Sequence, residues 1–300
     1  GAPGLCSPPR WEADVSRDPA PWRVAAVQMN STEDRERNLG IAEFLARRAA
    51  DAGASLVAFP EHFSSIRSEG KPAPHPERLE GPLVAWARNL AAELGCFILA
   101  GSFAEKVPRG RRLRNTSLLF SPTGATVAEY RKMHLFDARI RGHAALQESK
   151  TVAAGDRPVV ADTPLGRLGL AICYDLRFPE LFRHLALDGA QVVFVPSAFT
   201  DYTGRHHWMP LLRARAIENQ CWIVAPAQVG RHDSTRASHG HSAIVDPWGN
   251  VVALLEAGEG IVSAEIDLDR LRRIRADLPC LDHVRPELLG RRRRAARPPD

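Results

Sequence analysis

Several organising features are missing from this chain of 300 residues. Its five cysteines (Cys6, Cys96, Cys173, Cys221 and Cys280) are an odd number, and none is spaced Cys-x-x-Cys. That pattern excludes a disulfide framework and a cysteine-based zinc site. No run approaches the ~18 apolar residues a membrane helix needs, and the opening GAPGLCSPPR lacks the apolar core of a secretory leader. Gly and Pro are scattered without period, so collagen-like and low-complexity classes fall away. Free thiols fit a reducing compartment, and a cytoplasmic location with no membrane partner is expected.

What is present is a globular composition, 44% hydrophobic and 25% charged. A chain of this length buries about three quarters of its unfolded surface without staples. The formal net charge of +5 suggests nucleic acid until the charges are located. Residues 291–300 (RRRRAARPPD) hold five arginines against one acid, so much of the excess sits there. An Arg block followed by Pro reads as a disordered, solvated tail. It lacks the interleaved aromatics on which single-stranded bases stack, and no nucleic-acid partner is expected. Residues 1–21, rich in Pro, Ala and charge, read as a flexible lead-in. Residues 22–290 show no composition shift that would mark a linker, and are expected to form one catalytic domain.

Within that span, short apolar strands alternate with amphipathic helices. Strands are expected at 22–29 (WRVAAVQM), 55–60 (SLVAFP) and 96–102 (CFILAGS), with helices over 34–53 and 81–94 closed by Gly53 and Gly95. A hairpin is expected across 113–132, turning at Ser121-Pro122-Thr123-Gly124, and 136–158 reads as loop. Further strands fall at 159–161, 169–173, 192–196 and 222–226, with helices over 179–188 and about 207–219. Pro247-Trp248-Gly249-Asn250 turns a second hairpin, and 261–275 supplies a last strand and short helix. Such alternation, interrupted by hairpins, implies an α/β fold with helices outside mixed sheets.

Three strand ends carry chemistry. Glu61 leaves the buried segment SLVAFP, where poor solvation suits a carboxylate to general-base work. Lys132 follows the first hairpin, placed to give fixed positive charge to an oxyanion. Cys173 ends the apolar run GLAI before a polar turn, the logic of a nucleophile elbow. A thiol of ordinary pKa is only a few per cent thiolate at neutral pH, so it needs a base nearby. Base, cation and nucleophile together suit acyl transfer from an amide or nitrile carbon. Cys96 and Cys221 lie within apolar segments and read as core. His206-His207 and His239-x-His241 lack the spacing of a zinc hydrolase, so no metal is expected.

Those residues sit in FPEH, YRKMHLFD and ICYDLRFPE, which resemble the Glu–Lys–Cys motifs of the nitrilase superfamily of carbon–nitrogen hydrolases. LQESKTVAAGD resembles the stretch carrying the family's second glutamate, here Glu148. PSAFT at 196–200, HHWMPLLRARAIENQCWIVAPAQVGRH at 206–232 and HGHSAIVDPWGNVVA at 239–253 also match, and the likeness covers about 22–290. KMHLFD, CYDLRFPE, RARAIENQC and LPCLDHVRPELLG are most similar to the Nit branch, particularly its deaminated glutathione amidases.

The resemblance implies a four-layer α-β-β-α sandwich that pairs into a homodimer or higher oligomer. It implies a cysteine thioester mechanism on a primary amide of a small carboxylate or peptide-like substrate, releasing ammonia with no cofactor. In that scheme Glu61 is the base, Cys173 the nucleophile and Lys132 the oxyanion cation, with Glu148 orienting Lys132 or the substrate nitrogen and helping to keep Lys132 protonated. Tyr174, Arg177, Phe199 and Thr200 are expected around the substrate; Arg139, Arg141 and Arg205 are further candidates for a carboxylate partner. Asp175, Arg177 and Glu180 are expected to pin the elbow as an ion pair, and Arg213, Arg215 and Glu218 to form a solvated or dimer-facing stripe. The alternatives are an ω-amidase, another amidase or nitrilase of the superfamily, and a silent binding protein that keeps the fold.

Overall fold

Alternating burial decides the layers. The computed structural model describes residues 20–68, 71–108, 110–141, 145–285 and 287; the expected lead-in up to residue 19 and the Arg-rich segment 291–300 lie outside the described residues. In β1 (Trp22–Gln28), Val24 and Ala26 join one apolar cluster while Ala25 and Val27 join another, and all four are fully buried. A strand with no polar face must be covered on both sides. α1 (Arg35–Asp51), β2 (Leu56–Ala58), α2 (Pro82–Leu94) and β3 (Phe97–Leu99) continue the pattern: Leu56, Ala58 and Leu99 side with Val24, and Val57 and Ile98 with Ala25. The second set packs on Leu45 and Ala49 of α1 and Val84 and Leu90 of α2.

Local signals fix the helix ends. Asp34 caps α1 by accepting from the Arg37 N–H at 3.1 Å. Its other end closes where the Ala54 N–H reaches the Ala49 carbonyl at 3.0 Å and that of Gly53 the Ala50 carbonyl at 2.8 Å, a Schellman arrangement with Gly53 at φ 83°.

The chain continues with β4 (Phe103–Glu105), β5 (Arg114–Phe120) and β6 (Thr126–Arg131), the small hairpin β7 (Asp137–Ala138) and β8 (Leu146–Gln147), then β9 (Val159–Thr163), β10 (Gly166–Leu170), α3 (Pro179–Leu187), β11 (Val192–Phe194) and α4 (Asp201–Asn219). It ends with β12 (Trp222–Ala225), β13 (Val229–Arg231), β14 (Ala237–His239), β15 (Ser242–Val245), β16 (Val251–Leu255), β17 (Gly260–Ile266) and α5 (Leu268–Asp277). The first sheet runs β17-β1-β2-β3-β5-β4 with β6 also on β5, and the second runs β16-β15-β12-β11-β10-β9. Both are mixed: β1–β2–β3 and β10–β11–β12 are parallel, and their flanking pairs antiparallel. Val24, Leu56 and Leu99 share one cluster with Leu170 and Val224 of the second sheet and with Leu185 of α3 and Leu212 of α4. The layers are therefore α-β-β-α.

Four expectations change. β10 ends at Leu170, so Cys173 stands three residues beyond its strand. α4 begins at Asp201, six residues before the expected His207, and keeps Pro210 inside it; Thr203, Gly204 and paired histidines are weak helix formers held by packing, with Thr203 and Trp208 buried. The span 136–158 is not all loop, because β7 and β8 pair within it. The expected strand 96–102 ends at Leu99, and the chain then turns at Gly101 into β4.

Candidate active site

The elbow is built first. The Ala171 N–H donates to the Phe194 carbonyl at 3.0 Å and that of Cys173 to the Pro196 carbonyl at 2.9 Å, carrying the line of β10 forward. At Cys173 the backbone turns to φ 47°, a left-handed conformation that costs a residue with a Cβ, and enters a tight turn over Cys173–Arg177. Buried Asp175 closes it. Its carboxylate accepts from the Ile172 N–H at 2.9 Å, the Tyr130 hydroxyl at 2.7 Å, the His134 N–H at 3.0 Å and His134 Nδ1 at 2.7 Å. One carboxylate thus ties the elbow to the segment bearing Lys132. The expected pairing of Asp175 with Arg177 and Glu180 is not formed, because Asp175 is spent on these donors. Arg215 also differs from expectation: it is buried, 5% exposed, and its Nε donates to the Leu176 carbonyl at 2.9 Å, bracing the turn from α4.

Two glycines set the other arms. Gly101 lies so close to the Phe59 and Pro60 carbonyls that a Cβ would collide with backbone, and this approach lets Glu61 leave β2 toward the second sheet. Gly155 lies equally close to the Arg131 carbonyl, and its N–H donates to the Lys132 carbonyl at 2.8 Å.

The four side chains meet. Lys132 Nζ lies 3.1 Å from Glu61 Oε1 and 2.9 Å from Glu148 Oε2. Glu148 heads a short turn after β8 and also accepts from the Phe136 N–H at 2.7 Å. Glu61 accepts from Asn115 Nδ2 at 2.9 Å on Oε1 and from the Ala198 N–H at 2.8 Å on Oε2, and it lines the same cleft as the Cys173 thiol. Glu61, Lys132 and Cys173 are all buried.

Burial alone would raise the Glu61 carboxyl. The Lys132 ammonium outweighs it, with His62, the thiol and the Ala198 N–H assisting, and holds Glu61 at about 2. Burial would likewise lower Lys132, but Glu148 and Glu61 hold it above the usual lysine value. Burial and the neighbouring Glu61 charge push the Cys173 thiol well up. Resting chemistry is therefore a neutral thiol against an ionised Glu61 and a protonated Lys132. Passing the proton from sulfur to Glu61 leaves the net charge of the cluster unchanged, which makes the transfer feasible in a buried site.

Tyr174, Arg177, Phe199 and Thr200 line one cavity with Cys173. The Arg177 guanidinium lies over Phe199 at 4.9 Å and Tyr174 at 5.8 Å. Arg139 and Arg141 are exposed, and Arg205 pairs with Asp201 on the surface. Sequence reading missed Asn115, His62, Arg67 and Arg236, which surround the cluster. Asn115 left one trace, an amide where an apolar strand begins. Cys96 and Cys221 are buried as expected, with burial raising both thiols, to about 11 and about 12. His239 and His241 stack on each other at 4.1 Å, and no group of three His, Cys, Asp or Glu among the described residues is arranged for a metal. No helix among the described residues is long and apolar enough to cross a membrane.

An α-β-β-α sandwich carrying a buried thiol, two carboxylates and an ammonium at its strand ends describes a class of enzymes acting on carbon–nitrogen bonds. Residues 23–276 match the carbon-nitrogen hydrolase family. A deaminated glutathione amidase of Homo sapiens is 44% identical over 274 residues, 89% of this chain and 83% of that protein. The NitFhit protein of C. elegans superposes with a TM-score of 0.81 at 39% identity, over 91% of this chain and 67% of that one. An amidase of Nesterenkonia sp. AN1, with acrylamide added at its active site cysteine, superposes with a TM-score of 0.70 at 26% identity, over 86% of this chain and 98% of that one. The chain belongs to the carbon–nitrogen hydrolases, the nitrilase superfamily, and sits within its Nit branch. It is an amidase of linear carbon–nitrogen bonds.

Proposed function

We propose that this amidase hydrolyses a carboxylate-bearing linear amide, with deaminated glutathione as the leading substrate, through a thioester on Cys173. The observation that carries the reading is the buried cluster in which Lys132 bridges Glu61 and Glu148 in the cleft that Cys173 also lines. Glu61 takes the Sγ proton as sulfur bonds to the amide carbon. Lys132 and the Tyr174 N–H hold the oxyanion, a contribution of roughly 10²–10³ in rate per donor. The tetrahedral species collapses by breaking C–N, and Glu61 returns the proton to the departing nitrogen. Water then gives a proton to Glu61 and adds to the thioester carbon; C–S breaks and the sulfur is reprotonated. The departing group is ammonia for a primary amide. For deaminated glutathione, whose amide bonds are secondary, it is an amine. Glu148 keeps Lys132 charged and aimed.

Names of relatives at 40–44% identity, given as deaminated glutathione amidases, support the substrate. Residues 22–290 form the catalytic unit in this proposal, working as a cytoplasmic homodimer. A panel of deaminated glutathione, α-ketoglutaramate and simple nitriles, read by acid, amine and ammonia release, tests the substrate. Cys173→Ala is expected to lose all turnover while Glu61→Gln traps or blocks the thioester. Wild-type turnover by Cys173→Ala would end this reading.

A further inference from the structure

The space beside the catalytic cluster is larger than the cluster needs. A cavity of about 340 Å³, lined by Ile140, Leu146, Tyr202, Thr235 and Arg236 among others, adjoins the catalytic cleft. The two share Phe136, Leu146, Ala198 and Arg236. That volume lies in the range of small-molecule sites. Phe136, Ile140 and Leu146 give it an apolar lining, Arg231 and Arg236 bring positive charge to its wall, and Asp201, the one carboxylate among its described lining residues, is already paired with Arg205.

Arg236 is held but not neutralised. Its NH1 donates to the Arg67 carbonyl at 3.3 Å, and its own N–H donates to Asp233 Oδ1 at 3.0 Å. Its guanidinium makes no ion pair with a described carboxylate, whereas Arg47, Arg131, Arg167, Arg205 and Arg270 each do. Asp233 is occupied by the Thr235 hydroxyl at 2.6 Å and by backbone donors. A half-buried guanidinium on the wall of a cavity, already fixed by backbone but lacking an anion, is preorganised for one. Arg177 lines a smaller space with Cys173 that shares Phe136, Ala198 and Thr200 with the outer cavity. The site therefore has two cationic poles, and the nucleophile has access to both.

The geometry points to Arg236 as the anchor for a carboxylate at the far end of the substrate, on a tail that fills this outer cavity. This rests on the amide-hydrolase reading above and narrows its substrate class to amides with a second, distal carboxylate. Arg236 is a binding residue here and takes no part in proton transfer.

The test compares deaminated glutathione with the analogue whose terminal carboxylate is a carboxamide. Wild-type enzyme is expected to favour the acid by roughly 10²-fold in kcat/KM, the worth of a charge-assisted bidentate contact. Arg236→Gln is expected to bring that ratio near unity, chiefly through KM, and Arg236→Lys to restore only part of it. A ratio that keeps its wild-type value in Arg236→Gln, however far both rates fall, overturns the assignment. Calorimetry with Cys173→Ala measures the same preference as binding, so failure of turnover and failure of the anchor are told apart. Equal affinity for acid and carboxamide in Cys173→Ala also overturns it.

Discussion

His232 is held in its neutral form by its surroundings. Its Nδ1 donates to the Ser31 carbonyl at 2.8 Å and its Nε2 accepts from the Ser238 hydroxyl at 2.8 Å. Burial, aided by the Arg236 charge and opposed by the Ser31 carbonyl and Asp233, holds its pKa at about 4. The folded value lies below the unfolded one, near 6.5, so the unfolded chain takes the proton first as pH falls. Its stabilising contribution is full above pH 6.5 and disappears between there and pH 4, on the order of 3 kcal/mol at most. Thermal unfolding at pH 7 and 4.5 is expected to show the loss, and His232→Asn to flatten it; an identical slope in the variant would remove His232 as the cause. Glu61 adds a second loss lower down: its depressed carboxyl stabilises above its unfolded value, and that contribution fades as pH falls toward about 2. Asn115 offers a different check. Asn115→Ala leaves Glu61 without one of its donors, and kcat is expected to fall about 10- to 10²-fold with KM little changed. A changed KM at constant kcat would place Asn115 in substrate binding instead. Glu61 and Cys173 were legible because each closely follows an apolar run, and Lys132 because it ends the first hairpin within the YRKMHLFD motif. Asn115, Arg67 and Arg236 were not, since their proximity to the cluster comes from chain segments far apart in sequence.

At the scale of elements, the arms of the site depend on backbone packing as much as on side chains. Gly155→Ala would drive a methyl into the Arg131 carbonyl and disturb the hydrogen bond to Lys132. The expected cost is about 1–3 kcal/mol of stability, with kcat reduced as Lys132 moves off Glu61. Full activity at an unchanged melting temperature would show that the loop yields. Strands buried on both faces and helices with glycine caps were readable from the chain, because periodicity and capping are local. The start of α4 was not readable. Asp201–His206 has poor helical propensity, and its helix is secured by Thr203 and Gly204 packing, with His239 lying against Gly204. Arg215 misled for a related reason: a charged residue at helical spacing reads as solvent-facing until a partner carbonyl, here that of Leu176, is found.

For the whole molecule, the proposed dimer has a candidate surface. Ile217 on α4 and Trp248, Val251 and Val252 on the β15–β16 hairpin are exposed, 38–58% each, and Ile217 packs against Gly249. The enzyme is expected to run at twice 33.0 kDa, and Ile217→Asp combined with Trp248→Glu to return it to one chain. Light scattering decides, and an assembly untouched by the pair would move the interface elsewhere.

The pairing of β1 with β17 has a consequence for synthesis. Trp22 lies opposite Ile266 and Gln28 opposite Gly260, so one of the first strands made pairs with the last. Until residue 260 leaves the ribosome, one edge of β1 is unpaired beside apolar residues that water would otherwise be kept from. The nascent chain must therefore carry an adhesive edge through most of its translation. Stalling or truncation before β17 is expected to yield aggregate rather than a smaller working enzyme, whereas the same chain released a few dozen codons later can close its sheet.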